Sequence, residues 1–124
     1  MKLTALLFAL LAFIGPCDTD ESSVVKNSIY ENCFQVKTVA SICGEAVLEI
    51  QTDKFKSLGE EWNGNYNVFF TTLPCGTESF WAVGSVFNVR LLEKPAVGEC
   101  IRCSATIGYT GARKYSVAVA EDCP

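Results

Sequence analysis

The side chains that could carry chemistry in this chain are its cysteines and its carboxylates, because it contains seven Cys, 14 Asp and Glu together, and no His. The absence of His removes the Ser-His and Cys-His pairs of acyl-transfer enzymes and every metal site that needs imidazole. Cys100 and Cys103 form a C-x-x-C pair, which in a reducing compartment would indicate zinc or a thioredoxin-like redox site. No second C-x-x-C accompanies it. We therefore expect no metal ligands and no cofactor.

Carboxylates are the other candidates for catalysis, since a glycosidase needs only two that face each other. Glutamates that could be considered for this role are Glu45, Glu49, Glu60, Glu61 and Glu78. The sequence places Glu60 and Glu61 in a turn, and Glu45 and Glu49 on the solvent face of a strand. Charged side chains in such places are ordinarily exposed. We therefore predict a protein without catalytic residues, which is not an enzyme.

Length and charge limit the remaining possibilities. A chain of 124 residues has room for one domain with one core of ordinary size. Its 10 Lys and Arg are scattered, and its net charge is −4. Nucleic acid is therefore not expected as a partner.

The N-terminal residues have the pattern of an export signal. Lys2 is followed by an apolar run over residues 3–14 and then by Gly15-Pro16-Cys17, which predicts a signal peptide over residues 1–17, with cleavage after Gly15 as the competing site. The run is too short to span a bilayer, and no second apolar stretch follows. An acidic segment over residues 18–32 comes next, with a short helix expected over 24–32, and the domain itself over 33–124. We expect a secreted protein without a membrane span.

The cysteines that remain after cleavage are even in number, and an exported chain meets an oxidising compartment. Three disulfides are therefore expected, formed by Cys33, Cys43, Cys75, Cys100, Cys103 and Cys123. Cys100 and Cys103 lie on a predicted strand, where residues three apart point to opposite faces. They should therefore have different partners.

Apolar alternation and turn residues predict a mainly β fold. Strands are expected over residues 45–51, 66–73, 80–92, 100–109 and 115–120. The Asn63-Gly64 pair predicts a tight hairpin turn, and Gly84 predicts a bulge or bend within the third strand. Five short strands joined by turns indicate a small antiparallel barrel or sandwich.

A family resemblance follows from the spacing of the cysteines. Cys33-x9-Cys43 leading into residues 44–50 resembles the opening of a netrin-like (NTR) domain, the module of the tissue inhibitors of metalloproteinases (TIMPs). Residues 71–76 (TTLPCG) and 80–84 (FWAVG) resemble the family's Cys-Gly turn and the aromatic strand after it, and Cys123 its closing cysteine. In size and cysteine plan the chain is similar to excretory-secretory proteins of parasitic nematodes such as hookworms.

The resemblance implies an OB-like five-stranded antiparallel barrel with a short N-terminal helix or extended segment. It also implies a Cys43–Cys123 bridge, with Cys33 and Cys75 taking Cys100 and Cys103 in either order. The partner it implies is an extracellular protein, including a protein of a host, bound by a non-catalytic module. Its binding ridge would consist of Glu31, Asn32 and Phe34 beside Leu73 and Pro74. From the residues themselves, Trp62 beside the Asn-Gly turn is a further binding candidate.

The chain departs from the inhibitors at one decisive place. They chelate the catalytic zinc through a mature N-terminal Cys that begins a Cys-x-Cys, whereas here Glu31 stands two residues before Cys33 and a segment precedes it. We therefore expect no metalloproteinase inhibition by that route. Two alternatives stay open: a protease inhibitor, cystatin-like or other, since residues 80–84 faintly resemble a Gln-x-Val-x-Gly loop, and a sugar-binding β-domain that uses Trp62, Tyr66 and Trp81.

Overall fold

The computed structural model describes residues 32–95, 98, 100 and 102–123. In this part of the chain one antiparallel sheet contains all the strands, in the order β3-β4-β2-β1-β5-β6, and the only helical turns are 3-10 helices over Asp53–Leu58 and Glu78–Phe80. The prediction of a mainly β fold is confirmed. The strands are β1 (Cys33–Ile42), β2 (Glu45–Ile50), β3 (Glu60–Trp62), β4 (Asn65–Thr72), β5 (Val86–Leu92) and β6 (Ser116–Ala120).

The central strand, β1, was not among the predicted strands. Phe34, Val36 and Thr38 are buried and alternate with exposed Gln35 and Lys37, which is the pattern of a strand with one face on the core. Val36 is paired with β2 on one side and with β5 on the other. Every other strand is therefore placed relative to β1.

Three of the predicted strands are confirmed within a residue or two, as β2, β4 and β6. The Asn63-Gly64 turn is confirmed as well, with φ of 50° and 81° at its two residues. The strand expected over 80–92 begins only at Val86. Before it, Gly84 adopts a φ of 96° in a turn, and its N–H donates to the Thr38 carbonyl at 2.8 Å.

The strand expected over 100–109 is wrong, because the described residues in this range have no regular structure. Residues 102–113, which we call the cover segment, run across the face of the sheet that points away from the core. Val47 and Val68 point to this face and are nevertheless fully buried. The Ile107 N–H donates to the Glu45 carboxylate at 2.8 Å, and the Tyr109 ring stacks on Phe70. The cover segment therefore has the β-favouring residues of a strand, but it packs on the outer face of the sheet and pairs with no strand over most of its length.

The hydrophobic core lies on the opposite face. Ala46, Leu48 and Ile50 of β2 are buried there, as the sequence predicted. Aromatic rings pack among these aliphatic side chains: Phe34 stacks on Phe55 with ring centroids 5.1 Å apart, and its edge meets Phe69 at 6.2 Å. Two polar side chains are buried with them: Thr38 donates its hydroxyl to the Phe80 carbonyl at 3.1 Å, whereas the Thr71 hydroxyl has no hydrogen-bond partner among the described residues.

The three disulfides are Cys33–Cys123, Cys43–Cys103 and Cys75–Cys100. Different partners for Cys100 and Cys103 are confirmed, but the expected Cys43–Cys123 bridge is wrong. Cys33 and Cys43 lie at opposite ends of β1, which at about 3.3 Å per residue is about 30 Å long. Through β5, Ala120 at the end of β6 lies level with Gln35, so Cys123 is near the Cys33 end and far from Cys43.

The ladder of strand pairs is not closed into a barrel. One link crosses the gap between β4 and β6: the Phe70 N–H donates to the Arg113 carbonyl at 2.9 Å, and the Tyr115 N–H donates to the Phe70 carbonyl at 3.0 Å. These two bonds form a parallel bridge between Phe70 and Lys114. The expectation of a closed five-stranded barrel is therefore not confirmed, and a sixth strand, β3, lies at the edge of the sheet.

Candidate binding surface

The predicted ridge is not formed. Phe34 and Leu73 have at most 1% of their surface exposed and belong to the core, so neither side chain can contact a partner. Asn32 and Pro74 are half-buried but lie at opposite ends of β1, because the Leu73 N–H donates to the Gly44 carbonyl at the far end of that strand. Glu31 lies outside the described residues, as does the predicted 24–32 helix apart from Asn32, which is not helical.

Trp62, the remaining predicted site residue, lies on the hairpin formed by β3 and β4. We call residues 60–68 the aromatic hairpin. The Trp62 ring is half-buried and packs on the Tyr109 ring, with centroids 5.1 Å apart. Tyr66 is 61% exposed on the same hairpin. Asn65 is paired with Trp62, and successive residues alternate faces, so Tyr66 points away from the face that carries Trp62.

Glu60 attaches the cover segment to this hairpin and is not the exposed turn residue that the sequence predicted. Its carboxylate accepts hydrogen bonds from the Tyr109 hydroxyl, from the Arg113 N–H at 2.7 Å and from the Ala112 N–H at 3.2 Å. These donors, with Tyr109 the strongest, lower the pKa of Glu60. Desolvation and the same bond to Glu60 raise the pKa of Tyr109.

The Tyr109 ring is held between two other rings. It contacts Trp62 on one side and Phe70 on the other, with a centroid distance of 5.5 Å to Phe70. Lys114 places its ammonium 5.8 Å from the centre of the Phe70 ring, a distance at which a cation is attracted to the ring face. Trp62, Tyr109 and Phe70 therefore form one continuous row of packed rings, the aromatic row, with a cation at one end.

Arg102, which sequence reasoning passed over, lies between two disulfides. Its neighbours Cys100 and Cys103 are bridged to Cys75 and Cys43. One Nη of its guanidinium donates to the Leu73 carbonyl, and its Cζ lies 5.6 Å from the centre of the Trp81 ring. An Arg enclosed in a C-x-x-C was the signal that could have identified this cluster.

Gly44 makes room for Arg102. A Cβ at position 44 would overlap the guanidinium, and the φ of 85° at this residue is a conformation that glycine adopts without strain. The other guanidinium nitrogen of Arg102, Nη1, is buried and has no hydrogen-bond partner among the described residues. The Cys43-Gly44 turn and the cover segment thus meet around one partly buried guanidinium.

The other glutamates considered for catalysis do not form a facing pair in the described part of the chain. Glu61 and Glu78 are exposed, and Glu45 and Glu49 are half-buried. Among the described residues no cluster of three or more Cys, Asp or Glu could hold a metal ion. Likewise, no helix within that part is long and apolar enough to cross a membrane.

Comparison with known proteins adds no relative. No family model matches the chain, and it matches neither a curated protein nor a solved structure.

Proposed function

We propose that the chain is a secreted, non-catalytic, netrin-like binding module that engages an extracellular protein through its aromatic hairpin. The observation that carries this proposal is the exposure of Tyr66 on one face of a hairpin whose other face carries Trp62, so that a partner enclosing the hairpin contacts both rings. Of the four large apolar side chains exposed in the described residues, Tyr66 is the one aromatic, and Trp62 is on the same hairpin.

The composition of the hairpin supports binding to a protein. Trp and Tyr are enriched at the centres of protein interfaces, because they bury a large area and lose little rotamer freedom. The aromatic row behind Trp62 restrains its ring, and Glu60 fixes the cover segment to the strand that carries it. A surface that is already ordered before binding loses less entropy when its partner arrives.

The ionisable groups with shifted pKa values support a non-catalytic role. The pKa of Glu60 is lowered and that of Tyr109 is raised, so both groups move away from the neutral range in which a general acid or base is most effective. The hydrogen bond from the Tyr109 hydroxyl to the Glu60 carboxylate instead holds the cover segment on β3.

The strand order supports the netrin-like part of the proposal. Leaving out β3, the order is β4-β2-β1-β5-β6, and the Phe70–Lys114 bridge links its two ends. An OB-fold is a five-stranded, partly open Greek-key barrel. Slow hydrogen exchange at the Phe70 and Tyr115 amides would support such a closure, and exchange as fast as that of loop amides would contradict it.

Secretion is supported by the three disulfides, which are typical of oxidising compartments. The expected signal peptide over residues 1–17 is consistent with them. The N-terminal residue of the protein recovered from the culture medium would test this part directly.

The binding surface is tested by photo-crosslinking. A photoreactive phenylalanine at position 66 of the disulfide-bonded protein should form adducts with an extracellular protein, whereas the same residue at exposed position 54, on a 3-10 helix, should not. For the partner so identified, Trp62→Ala and Tyr66→Ala should each weaken binding by at least about tenfold, corresponding to about 1.4 kcal/mol, and Lys54→Ala should not. Identical adducts from both positions, or unchanged affinity in the hairpin variants, would refute the proposal.

A further inference from the structure

A cavity of about 270 Å³ opens between β4 and β6. It begins where the parallel bridge ends, since Phe70 and Lys114 both line it. Phe70 and Tyr115 turn their backbone groups toward each other, and these groups alternate along a strand. The backbone groups of Thr72 and Val117 therefore also point into the gap.

The lining combines apolar side chains with positive charge. Leu73 and Val117 supply apolar surface. Among the described residues that line the cavity, the charged ones are Arg102 and Lys114, and none is a carboxylate. The chain has a net charge of −4, whereas the charged residues described in this lining are both cations. Their potential attracts an anion.

Two buried polar atoms belong to residues of this lining. Thr71 Oγ1 and Arg102 Nη1 are the buried side-chain polar atoms that lack a hydrogen-bond partner within the described part of the chain, and Thr71 and Arg102 both line the cavity. Arg102 also forms no ion pair with a described carboxylate, because the ion pair found within the described residues joins Lys56 and Asp53. The side chain of Arg102 is partly buried, and a buried polar atom without a hydrogen-bond partner costs free energy. An anion in the adjoining cavity would reduce that cost.

We propose that this cavity binds a small carboxylate with an apolar group. The carboxylate faces Arg102 and Lys114, and the apolar group packs on Leu73 and Val117. Thr71 Oγ1 and Arg102 Nη1 lie below the surface, so engaging them takes a side-chain rotation, a change that is common on binding. The cavity is slightly smaller than the pockets of about 300–1,000 Å³ that hold drug-sized ligands. A short acid fits this size, and the site does not depend on the aromatic hairpin.

The same chemistry occurs in a free organic acid and at the C-terminus of a peptide. Two matched pairs of probes distinguish these sources: hexanoate with hexanamide, and N-acetylleucine with N-acetylleucinamide. Each pair differs in charge and is alike in apolar volume. Whichever acid binds more tightly indicates the source.

Binding is measured by amide chemical shifts and calorimetry on the disulfide-bonded protein. At least one acid should shift the amides of residues 71–73 and 115–117, and should bind at least about tenfold more tightly than its amide, as expected when a charged hydrogen-bond partner is lost. Equal binding of acid and amide would overturn the proposal. So would the absence of binding up to about 10 mM, which would mean that only ordered water fills the cavity.

Variants locate the site. Lys114→Gln should weaken binding of the acid by about three- to fivefold, the effect of one exposed charge, and Thr71→Val should weaken it as well. Lys54→Gln removes an exposed cation that does not line the cavity and should leave the affinity unchanged. Arg102→Gln is avoided as the primary test because Arg102 is packed between two disulfides. An equal loss in the Lys54 and Lys114 variants would indicate general attraction by charge and would overturn the proposal.

Discussion

Replacing Cys43 and Cys103 together by Ser should lower the free energy of unfolding by about 4 kcal/mol. The bridge between them closes 60 residues of chain and attaches the cover segment to the β1–β2 turn. Its main contribution is to restrict the unfolded chain, and that restriction grows with the length of the loop it closes.

The size of the expected loss in unfolding free energy depends on the two bridges that remain in the variant. In the unfolded variant, the Cys33–Cys123 and Cys75–Cys100 bridges still connect Cys43 to Cys103 by routes of about 30 and about 35 residues, and for loops of this length the chain-entropy relation gives about 4 kcal/mol. Small domains have a total stability of about 5–15 kcal/mol. The double variant should therefore fold marginally.

Urea unfolding without reductant, followed by the fluorescence of Trp62 and Trp81, measures the loss. Hydrogen exchange separates a local effect from a global one: amides of residues 105–113 should lose protection relative to β1 in this variant. They should keep it in the control pair Cys75→Ser with Cys100→Ser, which leaves the cover segment bridged. A loss below about 1 kcal/mol, or peptide mapping that links Cys43 to Cys123 in the parent, would refute this reasoning.

Three further outcomes test the packing around the cover segment. Because the pKa of Glu60 is lowered, its ionised carboxylate stabilises the fold fully above the ordinary value of 4.5, and this contribution is lost as the pH falls through the lower pKa of the folded state. The unfolding midpoints of Glu60→Gln and the parent should therefore converge in acid. A difference that stays constant with pH would contradict this. Because the pKa of Tyr109 is raised, Tyr109→Phe should remove a phenol that ionises above the ordinary tyrosine range. Alkaline absorbance titration should show that the variant has lost this late step, and a variant that titrates like the parent would contradict the expectation. Gly44→Ala should lower the free energy of unfolding, measured in urea, by about 1–3 kcal/mol more than Gly64→Ala does. Both residues have positive φ, but only a Cβ at position 44 meets Arg102. Equal losses in the two variants would show that the packing of Gly44 on Arg102 contributes nothing.

Local sequence patterns were sufficient to predict the elements whose conformation does not depend on distant parts of the chain. The alternation in β2 identified its core face, and Asn63-Gly64 identified the hairpin turn because few other residue pairs accept its backbone conformation. The alternation of Phe34, Val36 and Thr38 was equally informative. The interval between Cys33 and Cys43 therefore carries two signals, a cysteine spacing and a strand alternation, and the spacing alone does not indicate a strand.

The cover segment could not be predicted from its own residues. Its β-favouring side chains pack on the back of the sheet, and its backbone bonds to Glu45 and Glu60 rather than to a strand. Six cysteines allow 15 pairings, and the correct one depends on which strand ends meet. The Glu60–Tyr109 contact joins residues 49 apart in sequence, so no local pattern could have indicated it.

The Cys33–Cys123 bridge has a consequence for proteolysis and for mechanical load. The bridge joins the first residue of β1 to a residue just beyond β6 and spans 90 residues. A single cut anywhere between these two cysteines therefore leaves both pieces covalently attached, and the cut molecule separates only after reduction. Tension applied on either side of the domain is carried by the sulfur–sulfur bond instead of the hydrogen bonds of the sheet. The module can thus transmit force without being stretched, for as long as its surroundings stay oxidising.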